Sequence, residues 1–455
     1  MPDSWSSSRV DLHLVPGEGG RRSGLESALR EAVRDGRLAA GSLLPSTRGL
    51  AADLGLSRGT VTAAYDQLAA EGYLTIRPGS GTRVADVPPP PMDAPEVVLQ
   101  PPPLHDLRPG RPDVNAFPRG AWLAATRRVL AGADPSVFGA GDPQGRIELR
   151  VALADYLGRT RGVQARPELI VVTSGYHQAL SLLGRVLHDQ GIRRSAYEDP
   201  GHNHYRGVVE RAGLTTVPLP VDERGAQPEA LTNRLGAAFL TPSHQYPLGV
   251  PLHPSRRQVV CAWARRTGGL VVEDDYDGEF RYDRQPVGAL QGIATEHVVY
   301  GGTVSKTLGP ALRLGWMVLP PDLVKPFVQA KEEADLYTET LGQLVLADLM
   351  ATHAYDRHVR AARLRYRKRR MLLNDRLPLQ GVPAGLSALV LLDNEEALLA
   401  ACAERGLALR GLTELHHSPE NRPQGLLIGF AAPSDRGYPR ALDVLCEVLA
   451  GARPR

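Results

Sequence analysis

Residues 271–280 read VVEDDYDGEF, and residues 303–316 read TVSKTLGPALRLGW. Both pair an apolar run with a polar cluster. Leu270-Val271-Val272 leads straight into Glu273-Asp274-Asp275-Tyr276, and Val298-Val299-Tyr300 is soon followed by Thr303-Val304-Ser305-Lys306-Thr307. Short apolar runs of this kind read as buried strands. Similar runs stand at Leu169–Val172, Ala238–Leu240, Trp316–Leu319 and Leu426–Ile428, separated by stretches of helical character. The alternation predicts an α/β domain with a mostly parallel sheet. Ligands of such sheets sit at the carboxyl ends of strands, where both polar clusters fall.

Lysine is scarce. Among 53 Lys+Arg residues only Lys306, Lys325, Lys331 and Lys368 are lysines. Lys325 and Lys331 fall in an expected surface helix, and Lys368 falls in Arg365-Tyr366-Arg367-Lys368-Arg369-Arg370, expected to be solvated. Lys306 alone follows a buried strand, where desolvation lowers an amine's pKa and makes it nucleophilic. The three acids Glu273–Asp275 could hold a metal, but no histidine lies near them in the chain. Asp274 and Tyr276 suit a different partner: a pyridine ring needs an anion at its nitrogen, and its phenolic oxygen needs a donor. A third cluster, Thr173-Ser174-Gly175-Tyr176-His177, lies between a strand and a helix predicted over 178–187. Free N–H groups at a helix start suit a phosphate.

Working outward, residues 88–103 read PPPPMDAPEVVLQPPP, eight prolines in sixteen positions. Such a segment favours extended geometry and reads as a semi-rigid tether. We place the domains at 1–86 and 108–455, with the linker at 87–107. Before it, Leu25, Leu29 and Val33 recur at helical spacing, with Ala28 and Ala32 beside them. Ser46 or Thr47 can cap a second helix that Gly55 ends, and Ser57 can cap a third with Val61, Ala64, Tyr65 and Leu68 on its apolar side. Two short helices joined by a glycine-containing turn form a helix-turn-helix, and Leu74, Ile76 and Val84 around a Pro78–Gly81 turn form a wing. The whole chain of 455 residues has a net charge of +3, so no global field points to nucleic acid or membrane. Cys261, Cys402 and Cys446 lie far apart, which excludes a disulfide scaffold. We read no signal peptide and no 18-residue apolar run, and expect a cytoplasmic protein.

Taken together, the motifs GDPQGRIELR (141–150), VVTSGYHQAL (171–180), EDPGH (198–202), TPSHQYPLG (241–249), VVEDDYDGEF and TVSKTLGPALRLGW resemble the fold-type I aminotransferases, which hold pyridoxal phosphate (PLP). Joined to a GntR-like winged helix-turn-helix, the chain resembles the MocR-type transcriptional regulators, with their PdxR-like and GabR-like members. The resemblance implies that Lys306 carries PLP as an internal aldimine, that Asp274 pairs with the pyridine nitrogen and that Tyr276 donates to the ring oxygen. It also implies that Ser174, Gly175, Tyr176, Thr303, Ser305 and Arg313 surround the phosphate, and that His202 lies over the ring face. Tyr246 stands where aminotransferases usually place an asparagine. Three positions depart from the pattern. His202 replaces a stacking tyrosine, Ala140 a tyrosine that reaches the partner subunit, and Leu427 the arginine that clamps a substrate carboxylate. Without that arginine a buried carboxylate has little to offset its desolvation, unless Arg410 or Arg422 substitutes.

The first 86 residues hold ten arginines and ten acids, so attraction to DNA must come from clustering. In the family pattern the start of the third helix enters the major groove. Ser57, Arg58 and Thr60 would meet DNA there, with Arg48 on the second helix and Arg77, Gly79, Ser80, Gly81 and Arg83 on the wing. The basic run Arg357–Arg370 reads as a solvated helix face. We therefore expect a homodimeric, PLP-dependent bacterial regulator of vitamin B6 or amino-compound genes that binds operator DNA, found at the nucleoid when DNA-bound. PLP itself would be the signal, and an amine or amino acid acting on resident PLP is the other effector. A working aminotransferase with a DNA-binding appendage is the alternative.

Overall fold

The structure, a computed structural model of the 455-residue chain, describes residues 21–77, 79–87, 103–283, 287–418 and 420–451. Most of the expected tether, residues 88–102, and Pro78 of the wing lie outside the described residues. The chain divides into two compact units, Met1–Pro101 and Pro102–Arg455.

In the first unit the helices Arg21–Arg34, Thr47–Asp53 and Arg58–Ala70 precede the antiparallel pair Leu74–Arg77 and Gly81–Val84. The apolar stripe of the first helix and Val61, Ala64, Tyr65 and Leu68 of the third close on one core. Leu74 pairs with Val84, and both are buried against it. Both predicted caps form: the Gly49 N–H donates to Ser46 Oγ and the Thr60 N–H to Ser57 Oγ, each at 3.1 Å. Gly55 follows the second helix at φ +63, left-handed backbone that a side chain resists.

The second unit is built on a sheet of eight described strands. Their spatial order is Ile170–Thr173, Gly315–Val318, Val298–Thr303, Leu270–Asp274, Ala237–Leu240, Arg194–Asp199, Thr215–Asp222 and Gly225–Ala226. The run from Val298–Thr303 to Thr215–Asp222 is parallel, and Gly315–Val318 is antiparallel to both neighbours. Side chains alternate across it, as strand geometry demands. Ile170, Val172, Trp316 and Val318 pack toward the helices Ile147–Arg161 and Thr340–Ala351. Val171 and Met317 pack toward Tyr176–Asp189 and Pro321–Asp335. Burial on both faces explains why these strands read as unbroken apolar runs. A smaller three-stranded sheet, Ser387–Leu391, Gly425–Gly429 and Arg410–Gly411, packs with the helices Glu395–Glu404 and Gly437–Gly451.

Two expectations about charge are corrected. Lys331 is fully buried, and its ammonium meets Asp335 one turn on at 2.6 Å. The run 365–370 is not a uniformly solvated face: Arg369 and Arg370 point inward, and Arg369 meets Asp113 at 3.1 Å and Asp435 at 2.7 Å. Helical periodicity sorts neighbours in sequence onto opposite faces. Among the described residues no helix is long and apolar enough to cross a membrane.

Candidate cofactor and DNA sites

The carboxyl ends of the parallel strands converge on one cavity. Its walls include Tyr176, His202, Tyr246, Asp274, Tyr276, Thr303, Ser305, Lys306 and Arg313. All nine were picked from the sequence. Lys306 lies three residues past the strand Val298–Thr303, and its Nζ donates to the Gly110 carbonyl at 2.8 Å. Burial lowers its pKa, and the nearby Asp274 opposes that shift. Asp274 ends the neighbouring strand, and burial drives its carboxyl well above the usual range while Lys306 pulls the other way.

The three acids after Val272 diverge. Glu273 accepts from the Leu290 and Gln291 N–H groups at 2.8 and 3.0 Å. Asp275 is locked to Arg161 at 2.6 Å, both almost fully buried, and accepts from the Tyr300 hydroxyl at 2.6 Å. Asp274 alone faces the cavity, and its Oδ1 is buried with no hydrogen-bond partner. Among the described residues no group of three His, Cys, Asp or Glu could hold a metal.

The Tyr276 hydroxyl lies 3.2 Å from His244 Nδ1, which sits 2.9 Å from Asp277 Oδ2. His202 stacks on Tyr205 with ring centroids 4.1 Å apart and lies 5.1 Å from Tyr246. Burial lowers its pKa to about 3, so the ring is neutral at physiological pH. At the opposite end, Thr303 Oγ1 and Ser305 Oγ are 2.9 Å apart. Gly175 caps the helix Tyr176–Asp189 at φ +89 without a side-chain cap bond. A Cβ there would sit 3.1 Å from the Arg313 guanidinium, so the glycine keeps the approach open. Ser174 is placed differently from expectation: its hydroxyl is 3.5 Å from Asp335, and it is not on the cavity wall.

These residues fit PLP. An orphaned, buried carboxylate oxygen needs a cationic donor, which a protonated pyridine nitrogen is. Hydroxyls, a guanidinium and an uncapped helix start suit a phosphate. An amine of lowered pKa suits an aldehyde. The sequence reading named His177 only as part of the Thr173–His177 cluster, and assigned no role to Thr241, Tyr205 or the Pro109–Gly110 loop, all on the wall. Thr241 directly follows the strand Ala237–Leu240 and could have been found by the same strand-end rule, whereas Gly110 carries no local signal.

The departing positions differ in fate. Ala140 is exposed. Leu427 is 1% exposed in an apolar cluster with Tyr246, Leu389, Leu412 and Leu415. Arg410 pairs across the strands with Leu427 and does reach the cavity wall. Its guanidinium is already engaged by Glu414 at 2.5 Å and Asn203 at 2.9 Å. Arg422 instead meets Asp199 at 3.5 Å.

In the first unit, ion pairing sorts the arginines. Arg22, Arg30 and Arg37 meet Glu26, Glu71 and Asp35. Arg48, Arg58 and Arg77 are exposed, with no ion pair among the described residues, on the second helix, at the third helix start and on the wing. Ser57, Ser80 and Gly81 are exposed too, and Thr60 is half-buried. Arg83 Nη1 donates to the Gly41 carbonyl at 2.8 Å, which holds it on the body of the unit.

Comparison with known proteins finds a family for each unit. The family described as aminotransferase class I and II matches residues 111–445, and the bacterial regulatory proteins of the gntR family match residues 22–84. The HTH-type pyridoxine biosynthesis transcriptional regulator PdxR of Corynebacterium glutamicum is 34% identical over 420 residues, covering 90% of this chain and 91% of the relative. The probable rhizopine catabolism regulatory protein MocR of Rhizobium meliloti is 34% identical over 444 residues, covering 90% and 89%. Among solved structures, an archaeal alanine:glyoxylate aminotransferase superposes with a TM-score of 0.71 at 22% identity, over 77% of this chain and 91% of that one. A multiple substrate aminotransferase from Thermococcus profundus gives 0.69 at 22% identity, over 79% and 96%. The chain belongs to the MocR-type transcriptional regulators, in which a GntR helix-turn-helix precedes a PLP-binding aminotransferase class I and II domain.

Proposed function

We propose that PLP itself is the signal this regulator reads, as a homodimer bound to operator DNA in the cytoplasm. The observation that carries the reading is the contrast between two ends of one cavity. The end suited to PLP is equipped: Lys306, Asp274 with its unpaired oxygen, Tyr276 and Arg313 all reach it. At the other end, Arg410 is the arginine on the wall and is matched to Glu414, while Leu427, where the resemblance implies a carboxylate clamp, is buried in an apolar cluster. PLP, when bound, supplies an aldehyde reactive toward amines. This chain's part is to present Lys306 Nζ, hold a carboxylate at Asp274 and close the site with His202 and Tyr246. A homodimer is supported by a concavity of about 840 Å³ between the helices Arg119–Gly132, Ile147–Arg161 and Thr340–Ala351. Exposed Leu123, Leu130, Phe138, Ile147 and Val151 lie on or near it, an apolar patch that a second copy would cover. The division at the tether, and Arg48, Ser57, Arg58, Thr60, Arg77, Ser80 and Gly81 as DNA contacts, belong to the same proposal.

Arg410 keeps a second reading open, in which an amino acid displaces Glu414 and acts on resident PLP. Fluorescence anisotropy of duplex DNA from upstream of the coding sequence, titrated with apo-protein, separates them. We expect PLP alone to change affinity or stoichiometry, and Lys306→Ala to abolish that change. A response that appears only when an amino acid joins PLP refutes PLP as the signal. Multiple-turnover transfer to a 2-oxo acid would instead establish a working aminotransferase.

A further inference from the structure

We propose that the exposed face of the helix Ala354–Asn374, with the furrow beside it, is a second contact surface for the DNA backbone. The inference rests on the regulator reading and adds a site outside the helix-turn-helix. The helix carries seven arginines and Lys368. Packing divides them. Arg365 and Arg369 turn toward Asp113, at 3.3 and 3.1 Å, and Arg370 is buried. Arg357, Arg360, Arg367 and Lys368 are exposed, and none has an ion pair among the described residues. The one acid on the helix, Asp356, is taken by Arg159 at 2.9 Å.

Between this helix and Ile147–Arg161 lies a furrow of about 310 Å³ whose walls include Arg159, Arg161, Arg360 and Arg363. The first two are matched, to Asp356 and Asp275. Arg360 and Arg363 have no ion pair among the described residues, and the carboxyl of the one further acid on the wall, Glu279, is raised by burial to about 7. Their Nε groups donate to the backbone carbonyls of Asp356 and Glu279, at 3.4 and 2.7 Å, which orients both guanidinium forks without neutralising them. Arg360 and Arg367 are two turns apart, about 10 Å along the axis. One DNA strand presents a phosphate every ~3.4 Å of helix axis, so this rigid row can serve about three. Leu364, 65% exposed, is separated by Arg367 and Lys368 from the neighbours Met371 and Leu372, 57% and 37% exposed. They make no continuous apolar face, which favours a polyanion over a membrane.

The test uses full-length, PLP-loaded protein and Arg360→Gln, Arg367→Gln, Lys368→Gln combined. These side chains are exposed, so the fold tolerates the change. The control removes the same charge elsewhere with Arg194→Gln, Arg234→Gln and Arg266→Gln. Binding is measured against salt on a duplex of about 60 bp from upstream of the coding sequence, and on its central portion of about 20 bp, two helical turns. Each lost phosphate contact lowers the slope of log K against log salt by about 0.9. We expect a fall of about 2 to 3 for each protomer whose face meets the long duplex, none on the short one, and none in the control on either. Equal slopes for wild type and variant on the long duplex overturn the proposal. So does loss of inorganic phosphate binding (³¹P line broadening), or of binding to phosphatidylglycerol vesicles, while the DNA slope stays unchanged. If wild-type protein binds neither duplex, the regulator reading fails and this surface with it.

Discussion

Asp274→Asn should weaken PLP binding without weakening the apo-protein. In the structure Asp274 Oδ1 is buried and unpaired, and the carboxyl is driven well above its usual pKa by burial. A bound cation at that oxygen gains a charge-assisted hydrogen bond, worth about 1.5–3 kcal/mol. Asparagine has the same shape and keeps an acceptor, but it loses the charge. PLP affinity should therefore fall about 10- to 150-fold, at 1.4 kcal/mol per decade. The apo-protein moves the other way. An acid whose pKa is raised by folding binds its proton more tightly when folded, so its contribution is complete below its unfolded pKa near 4 and is lost as pH rises toward the folded value. Asparagine has no proton to lose, so the variant should gain on wild type between pH 5 and pH 8. Calorimetric melting with and without PLP across that range checks both signs. Unchanged PLP affinity, or an apo-variant less stable than wild type at pH 8, would show that Asp274 serves the fold and would refute the assignment.

Four further outcomes follow from the structure. Burial raises the Glu273 carboxyl to about 7, so Glu273→Gln should lose the wild-type decline in stability from pH 4.5 to 7, a relative gain of up to about 1.4 kcal/mol per pH unit; parallel pH profiles of Tm for both proteins would contradict this. Ser57→Ala should remove the cap of the third helix and cost about 1 kcal/mol in denaturant unfolding. Exposed Arg58→Ala should leave stability alone and lower the salt slope of DNA binding by about 0.9 per protomer, about 1.8 for the homodimer. Glu414→Gln should release Arg410, so that α-amino acids shift the melting of the PLP-loaded variant but not of wild type; no shift in either would mean that Arg410 cannot serve a ligand.

The sequence exposes strand ends better than it exposes their surroundings. Lys306, Asp274 and Tyr276 were legible because each closely follows a strand buried on both faces, and such strands are written as unbroken apolar runs. Arg194–Asp199 and Thr215–Asp222 were not read as strands. The first is RSAYED, polar at both ends although mostly buried, and the second contains Pro218 and Pro220. Prolines are tolerated there because the neighbour beyond, Gly225–Ala226, pairs only with Val221 and Asp222. Gly110, His244 and Arg410 reach the site from loops and a second sheet, so no local period marks them. Lys331 was misplaced for a related reason. Its neighbours Glu332, Glu333 and Asp335 suggest a wet helix, while the turn that buries it also brings Asp335 to its ammonium.

Leu427 bears on function through what its burial excludes. The side chain packs with Tyr246, Leu389, Leu412 and Leu415, and an unpaired charge among them would cost several kcal/mol. The cation that does approach comes from the next strand, as Arg410, and is held by Glu414 and Asn203 before any ligand arrives. A carboxylate ligand must therefore displace an anion already in place, and its gain is only the difference between two similar ion pairs. PLP meets no such competitor at Asp274 Oδ1. One cavity thus offers an open partner to the cofactor and an occupied one to a substrate, a difference that favours a site responding to PLP occupancy over one that turns over amino acids.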